Sequence, residues 1–235
     1  MRSLAIAERE LRSIFVSPLA WWVATAFSFL MGYFFVLIIA FVRQAEMRDV
    51  FNNMLVILMF LMPLITMRLV AEERRQNTFE LLLTAPVRDM EVILGKFLGA
   101  LAFLVFLLAI TVPYPILLFR FGKPESGAII AGYLGLLLLG CALVAIGLFF
   151  SSVTDSQMVA AALSFIAVIL IWLVKWGAQS ATGMWARLLG FLSFYDRFEE
   201  FSRGLIDSST IIYLVSFTAF FLYLSVRSLE SRSWR

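Results

Sequence analysis

The chain has 235 residues, of which 62% are hydrophobic and only 15% charged, and its formal net charge is +3. A soluble domain is about half apolar and about one quarter charged, so this composition excludes an ordinary soluble protein and indicates one whose apolar surface faces lipid. The small positive charge does not indicate nucleic acid as a partner, because basic residues at the ends of membrane spans have a topological role. The absence of histidine excludes imidazole as a metal ligand or base.

The first segment, residues 1–16, is predicted to be an amphipathic helix that lies in the plane of the membrane interface. Leu4, Ala7, Leu11 and Ile14 recur at helical spacing, and the charged residues lie largely elsewhere around the helix. Its alternative role is only to anchor the chain to lipid. The apolar run that follows is too long for the core of a signal peptide, so we expect it to stay in the membrane.

Six apolar segments are predicted to cross the membrane as helices, since a crossing needs about 20 residues. They lie near residues 19–42, 50–71, 97–119, 128–152, 156–175 and 208–227. The predicted fold class is therefore an all-α integral membrane protein with one transmembrane domain over residues 1–235. Six spans put both termini on one side, and that side holds eleven of the nineteen Lys and Arg residues, which indicates cytoplasmic termini.

Local patterns predict where these helices begin, bend and end. Ser17 and Pro18 favour the start of the first span, and Pro113 with Pro115 predicts a kink or an early end of the third. The predicted caps are Asp89 for span three, Thr154 or Asp155 for span five, and Asp207 or Ser208 for span six. Two pairs of small residues one turn apart predict close helix packing: Gly95 with Gly99, and Gly147 with Ser151.

The segment 176–207 is too long for a simple turn, and its aromatic residues are mixed with charged ones. We expect one or two short re-entrant helices at the periplasmic surface, the last of them ended by Gly204. The segment is either a lid over an outer exit or an aromatic anchor at the level of the lipid headgroups. Its candidate gate residues are Phe194, Tyr195, Gly204 and Asp207.

The stretch EERRQNTFELLLTAPVRDM, residues 72–90, is a charged interruption between two apolar spans. Asn77 or Thr78 caps a short helix near residues 77–85, with Glu80 in the position of a capping box, and Pro86 ends it. Its Phe and Leu side chains form an apolar face outside the spans, which favours a docked partner. The alternative is that this face lies on the membrane or packs against the protein's own helices.

This stretch, continued as EERRQNTFELLLTAPVRDMEVILGKFLG, resembles the signature of the ABC-2 family of ABC exporter permeases. That signature is E-[ERK]-x-x-x-T-[LF]-E-x-L-L-[TS]-x-P-[VI], followed by Gly-Lys at the start of span three. The matching residues are Glu72, Glu73, Thr78, Phe79, Glu80, Leu82, Leu83, Thr84, Pro86, Gly95 and Lys96. The stretches FFSSVTDSQMVAAALSF and SRGLIDSSTIIYL are similar to the branch that contains the gliding-motility (GldF-like) permease.

The resemblance implies a permease subunit of an ATP-driven exporter that dimerises, with itself or with a related chain, to form the translocation path. The helix near residues 77–85 would be the coupling helix, seated on a separate ABC ATPase that the interfacial helix also contacts. The residues implied in coupling are Glu72, Glu73, Thr78, Phe79, Glu80, Leu82, Leu83, Thr84, Pro86 and Arg88, with Arg9, Leu11 and Arg12 of the interfacial helix. The chain would lie in the bacterial inner membrane, with an accessory periplasmic or membrane subunit as a further partner.

ATP hydrolysis is expected on the partner, because this chain has no Gly-x-x-x-x-Gly-Lys-Ser/Thr loop. The chain is thus predicted not to be an enzyme and to bind no cofactor or metal, while ATP and Mg²⁺ lie on the ATPase. Two alternatives stay open. An ion-coupled carrier or channel would need ionisable residues in mid-span, and the sequence offers no evidence against a non-transporting membrane scaffold.

Overall fold

The computed structural model describes residues 2–42, 46–75, 88–122, 124–180 and 194–233, and all the regular structure in these ranges is helical. The helices are α1 (Arg2–Val16), α2 (Pro18–Val42), α3 (Arg48–Thr66), α4 (Ala71–Arg75), α5 (Asp89–Ile110), α6 (Pro113–Phe121), α7 (Ser126–Val153), α8 (Gln157–Ser180), α9 (Phe194–Ser202) and α10 (Ser208–Ser233).

Six stretches are long and apolar enough to cross a membrane, which confirms the predicted all-α class with six spans. They are Pro18–Phe41, Arg48–Arg75, Asp89–Arg120, Ser126–Val153, Gln157–Val174 and Ser208–Ser231. The second span consists of α3 and α4 in succession, and the third consists of α5 and α6. We call the end of the bundle with α1, α4 and the end of α10 the terminal end, and the end with α6 and α9 the far end.

The central helix of the bundle is α7, which packs against α3, α5, α8, α9 and α10. Four of its glycines allow this, because each of the four receives a side chain of a neighbouring helix where a Cβ atom would collide with it. The pairs are Gly132 with Phe51, Gly135 with Phe201, Gly140 with Leu104, and Gly147 with Thr66. The prediction that Gly147 serves close helix packing is confirmed.

The regular helix of the third span is interrupted where the two prolines predict it. Helix α5 ends at Ile110, and α6 begins at Pro113, whose missing N–H costs nothing in a first helical turn. Between them, the hydroxyl of Thr111 donates to the carbonyl of Leu108 at 2.6 Å. The outcome is therefore a break followed by a short second helix.

Two predicted caps are wrong, and one is confirmed. Asp89 is the first helical residue of α5, and the cap is Arg88, whose backbone N–H donates to Glu91. The side chains of Thr154 and Asp155 do not cap α8 either, because Thr154 accepts from the N–H of Ser156, before the helix, and Asp155 pairs with Arg74. Asp207 does cap α10, since its carboxylate accepts from the N–H of Ser209, and Gly204 ends the preceding turn at φ +83°.

Candidate functional site

Helix α1 lies lengthwise along the first half of α5. Glu10 sits directly over Gly99, where an added Cβ atom would lie only 2.8 Å from the Glu10 Cβ. Further along, the ring of Phe15 meets the rings of Phe103 and Phe106 edge-on, at centroid distances of 5.8 and 5.0 Å. Because Gly99 has no side chain, the two helices approach closely there. The pair of Gly95 and Gly99 predicted such close packing.

A buried charge cluster joins three helices at this contact. Lys96 of α5 is only 1% exposed, and its ammonium lies 3.2 Å from a carboxylate oxygen of Glu10 on α1 and 2.8 Å from one of Glu73 on α4. A buried ammonium is stable only when it is paired in this way. We call Glu10, Glu73 and Lys96 the junction.

Among the described residues, positive and negative charges around the junction are equal in number. Arg9 lies 3.8 Å from Glu73, and Arg68 lies 3.0 Å from Glu72, so three cations face three carboxylates. All of these residues except Lys96 line one cleft of about 420 Å³ between α1, the start of α2 and α4. Burial raises the pKa of Glu10, the Lys96 charge opposes this effect, and the nearby carboxylate of Glu73 adds to it.

Helix α4 is held in place by a serine from the central helix. The hydroxyl of Ser151 accepts from the N–H groups of Val70 and Ala71, at 3.0 and 3.1 Å, and donates to the carbonyl of Met67 at 3.0 Å. These N–H groups belong to the start of a helix and have no partner within it. Ser151 therefore caps α4 across a helix–helix contact, so the position of Glu73 is tied to α7.

Arg68 and Arg74 add further links at the same place. The guanidinium of Arg68 donates to the Ser17 hydroxyl at 2.7 Å, between α1 and α2, while Arg74 donates to Asp155 after α7 at 3.4 Å. The side chain of Arg68 is thus bound by Ser17 and Glu72 within the protein, and the second span continues past Arg68 to Arg75.

Residues 4–198 match the family model described as ABC-2 family transporter protein. The chain belongs to this family. No curated protein sequence matches it. Membership makes the chain a multi-pass membrane protein and a permease subunit of an ABC transporter, and it confirms the resemblance at the level of the family.

Some predicted coupling residues of this ABC-2 protein fall in the described ranges. Glu73 is part of the junction, Glu72 pairs with Arg68, and Arg88 is exposed at the start of α5. On α1, Arg9 faces Glu73, Leu11 is half-buried, and Arg12 pairs with Glu8 on the exposed side of the helix. The remaining predicted residues lie outside the described ranges: Thr78, Phe79, Glu80, Leu82, Leu83, Thr84 and Pro86.

Sequence reasoning missed the central residue of the ABC-2 protein's junction. We counted Lys96 as a basic residue at the end of a span and as part of the family signature but gave it no contact, and we gave Glu10 no role at all. A usable signal was present, because Lys96 follows Gly95, precedes an apolar run and has Gly99 one turn later. A cation beside a small-residue contact surface needs an anion from the helix that packs there.

The far end of the ABC-2 protein holds the predicted gate segment. Phe194 of α9 is buried inside the protein, as are Phe198 and Phe201, so these three side chains pack against protein and not among lipid headgroups. Glu199 of the same helix binds Arg48 at 2.7 Å and thereby ties α9 to the start of α3. Of the other gate candidates, Asp207 caps α10 and Gly204 makes a turn, and the Tyr195 side chain lies outside the description.

The parts of the ABC-2 protein that the structure describes hold no group of three or more His, Cys, Asp or Glu residues able to bind a metal ion. In the same parts, the buried charged residues are Lys96 and Arg197. Lys96 lies near the start of α5, and Arg197 lies on α9, where it stacks on the ring of Tyr213 at 4.0 Å. Neither residue occupies the middle of a span, where an ion-coupled carrier would need an ionisable group.

Proposed function

We propose that this ABC-2 family protein is the membrane subunit of an ATP-driven exporter and that a separate ABC ATPase binds the segment 76–87. Two permease chains, identical or related, form the translocation path. ATP and Mg²⁺ are bound by the ATPase. The terminal end faces the cytoplasm of a bacterial cell, the far end faces the periplasm with α9 as a lid, and a gliding-motility type of transporter is the branch that the sequence favours.

The observation that carries this proposal is the connection between the two helices that flank the segment 76–87. Helix α4 ends at Arg75 just before it, and α5 begins at Asp89 just after it. Glu73 and Lys96, on these two helices, form an ion pair of 2.8 Å. A segment whose two flanking helices are joined in this way can transmit a displacement to the spans, whereas a segment between unconnected helices would absorb the displacement itself.

The residue types in this segment support a protein partner. Phe79, Leu82 and Leu83 are large apolar residues, and Glu72, Glu73, Arg74 and Arg75 directly precede the segment. Large apolar side chains surrounded by charged residues are typical of an interface with a buried centre and a polar rim. The ATPase is the partner that family membership favours.

Co-purification tests the proposal. With both chains expressed together, Phe79→Asp combined with Leu82→Asp is expected to abolish recovery of the ATPase with the tagged permease, while membrane insertion is unchanged. The matched control is Leu205→Asp, since Leu205 is an apolar residue that is 62% exposed at the far end. Recovery of the ATPase with the double variant at the wild-type level contradicts the proposal.

A further inference from the structure

The junction joins three helices, and membership of the ABC-2 family does not by itself imply that these helices are in contact. Glu10 lies on the N-terminal helix, Glu73 lies on the short helix before the segment 76–87, and Lys96 lies on the span after it. We propose that Lys96 is a positioning residue, whose single ammonium makes α1, α4 and α5 move as one unit when the ATPase displaces that segment. This inference rests on the proposed function.

The chemistry of the junction favours a rigid connection over a sliding one. An ammonium has three N–H donors and no acceptor, and two of its partners here are carboxylates on different helices. Apolar surfaces can shift against one another at little cost. A buried ammonium that leaves a carboxylate stays charged in a medium of low dielectric constant, which is strongly unfavourable. The ammonium of Lys96 on α5 therefore holds both α1 and α4 in place.

Helix packing makes this connection possible. The Cβ atom of Glu10 lies so close to α5 that only glycine fits at position 99, and this close approach lets the glutamate side chain reach Lys96 one turn away. On the other side, Ser151 fixes the start of α4 and so fixes Glu73 relative to the central helix. The ammonium is thus bound between two carboxylates that the backbone holds in place.

A consequence follows for the role of α1. The helix was predicted to lie in the interface plane, and a helix attached only to lipid would not follow a movement of the spans. Glu10 instead links it to both flanks of the segment 76–87, through Lys96. A displacement of that segment then reaches α1, and through Ser17 and Pro18 it reaches the first span as well.

Distance measurements between α1 and α5 test the proposal. In a Cys141→Ala background, spin labels at Ala5 and Met90, both of which are exposed, report the distance between the two helices in the permease–ATPase complex. In the wild-type protein we expect one narrow distribution that does not change between the nucleotide-free state and the state trapped with ATP and vanadate. With Lys96→Met the distribution is expected to broaden, and ATP turnover stimulated by the permease falls by about tenfold.

Glu8→Gln is the matched control, since the exposed Glu8 lies on α1 two residues from Glu10 and pairs with Arg12 within the described contacts. It is expected to leave the distance and the turnover unchanged. The charge exchange Glu10→Lys with Lys96→Glu should narrow the distribution again, because it restores an ion pair between α1 and α5. If Lys96→Met does not fold, Glu10→Gln removes one of the two ion pairs and serves in its place.

Two results overturn the proposal: a narrow distribution in both Lys96→Met and Glu10→Gln, or a wild-type distance that changes on nucleotide trapping. Failure of the proposed function gives a different result, namely a wild-type permease that recovers no ATPase. The width of the distribution in the permease alone then still decides whether Lys96 connects the helices.

Discussion

The ammonium of Lys96 lies 2.8 Å from the carboxylate of Glu73, and this ion pair closes the base of the segment between α4 and α5. The two residues are far from the middle of the bundle, at the end where both termini lie. Their contact joins the two helices that flank the segment 76–87. The predictions below concern the surroundings of this contact and the orientation of the chain.

Replacing Gly99 with alanine is expected to separate α1 from α5. The new Cβ atom would lie 2.8 Å from the Cβ of Glu10 and 3.3 Å from the carbonyl oxygen of Ala7, which is a backbone atom that cannot rotate away. Overpacking of this kind costs about 1–3 kcal/mol. We expect a lower melting temperature for the purified protein, measured by tryptophan fluorescence or by the rate of cysteine labelling on heating.

Gly127→Ala is the control for this substitution. Gly127 lies in the first turn of α7, and nothing is within 4 Å of the position of its missing Cβ atom. Alanine there is expected to be neutral or to stabilise the helix by up to about 1 kcal/mol. An equal effect of the two substitutions would show that the close approach at Gly99 has no energetic importance.

Ser151→Ala should loosen α4. It leaves the N–H groups of Val70 and Ala71 and the carbonyl of Met67 without the hydroxyl that pairs with them. A buried polar group that loses its partner costs about 1–3 kcal/mol. The expected result is a lower melting temperature and faster hydrogen exchange at residues 70–75, measured by mass spectrometry.

The neighbouring Ser152→Ala variant provides the comparison, because the Ser152 hydroxyl donates only to the carbonyl of Phe149 in its own helix. Its exchange pattern at residues 70–75 is expected to match that of the wild-type protein. Faster exchange in both variants would mean that α4 responds to the helix α7 in general and not to the Ser151 cap.

The stability of the folded chain is expected to depend on pH through Glu10. Burial raises the pKa of this carboxyl group above its ordinary value of 4.5, so the folded chain keeps a proton that the unfolded chain has already lost. The stabilisation that follows is complete below pH 4.5 and disappears as the pH rises through the raised pKa. The melting temperature of Glu10→Gln should therefore fall less than that of the wild-type protein over this window.

Glu8→Gln removes an exposed carboxylate two residues away on the same helix and should keep the wild-type dependence on pH. If the melting temperature of Glu10→Gln changes with pH as much as that of the wild-type protein, the pH dependence arises from another group. Lys96, Glu73 and Arg9 face Glu10 in the cluster and complete its electrostatic surroundings.

Cysteine labelling tests the orientation of the chain. In the Cys141→Ala background, a cysteine at Leu205 of the far end is expected to react with a membrane-impermeant maleimide added to intact spheroplasts. A cysteine at Met90 of the terminal end should react only after the membrane is opened. Both positions are exposed on the protein, at 62% and 60% respectively. The reverse pattern would invert the proposed topology.

The sequence predicts the spans well, because an apolar run long enough to cross a membrane has few alternatives in lipid. The break at Thr111, the end at Gly204 and the cap at Asp207 were also predictable, since each depends on local backbone chemistry. Asp89 and Asp155 were misassigned for a related reason. Each occurs next to a helix start, but a neighbouring residue takes the capping position.

The junction and the Ser151 cap were not predictable in the same way. Glu10 and Lys96 are 86 residues apart, and Ser151 is 81 residues from Val70. Which charged residue meets which depends on the rotation and the depth of each helix, and helical periodicity leaves both undetermined. Gly99 indicated a contact, but nothing local to it names α1 as the helix that makes it.

The burial of Lys96 also determines how this region responds to ionic strength. Mobile ions screen exposed charges within about 8 Å at physiological salt, and they act far less on a pair that water does not reach. Arg12 and Glu8, both largely exposed, lose their attraction in concentrated salt, whereas Lys96 keeps its two carboxylates. A high-salt wash that strips a bound ATPase by weakening surface charges would therefore leave the arrangement of α1, α4 and α5 intact.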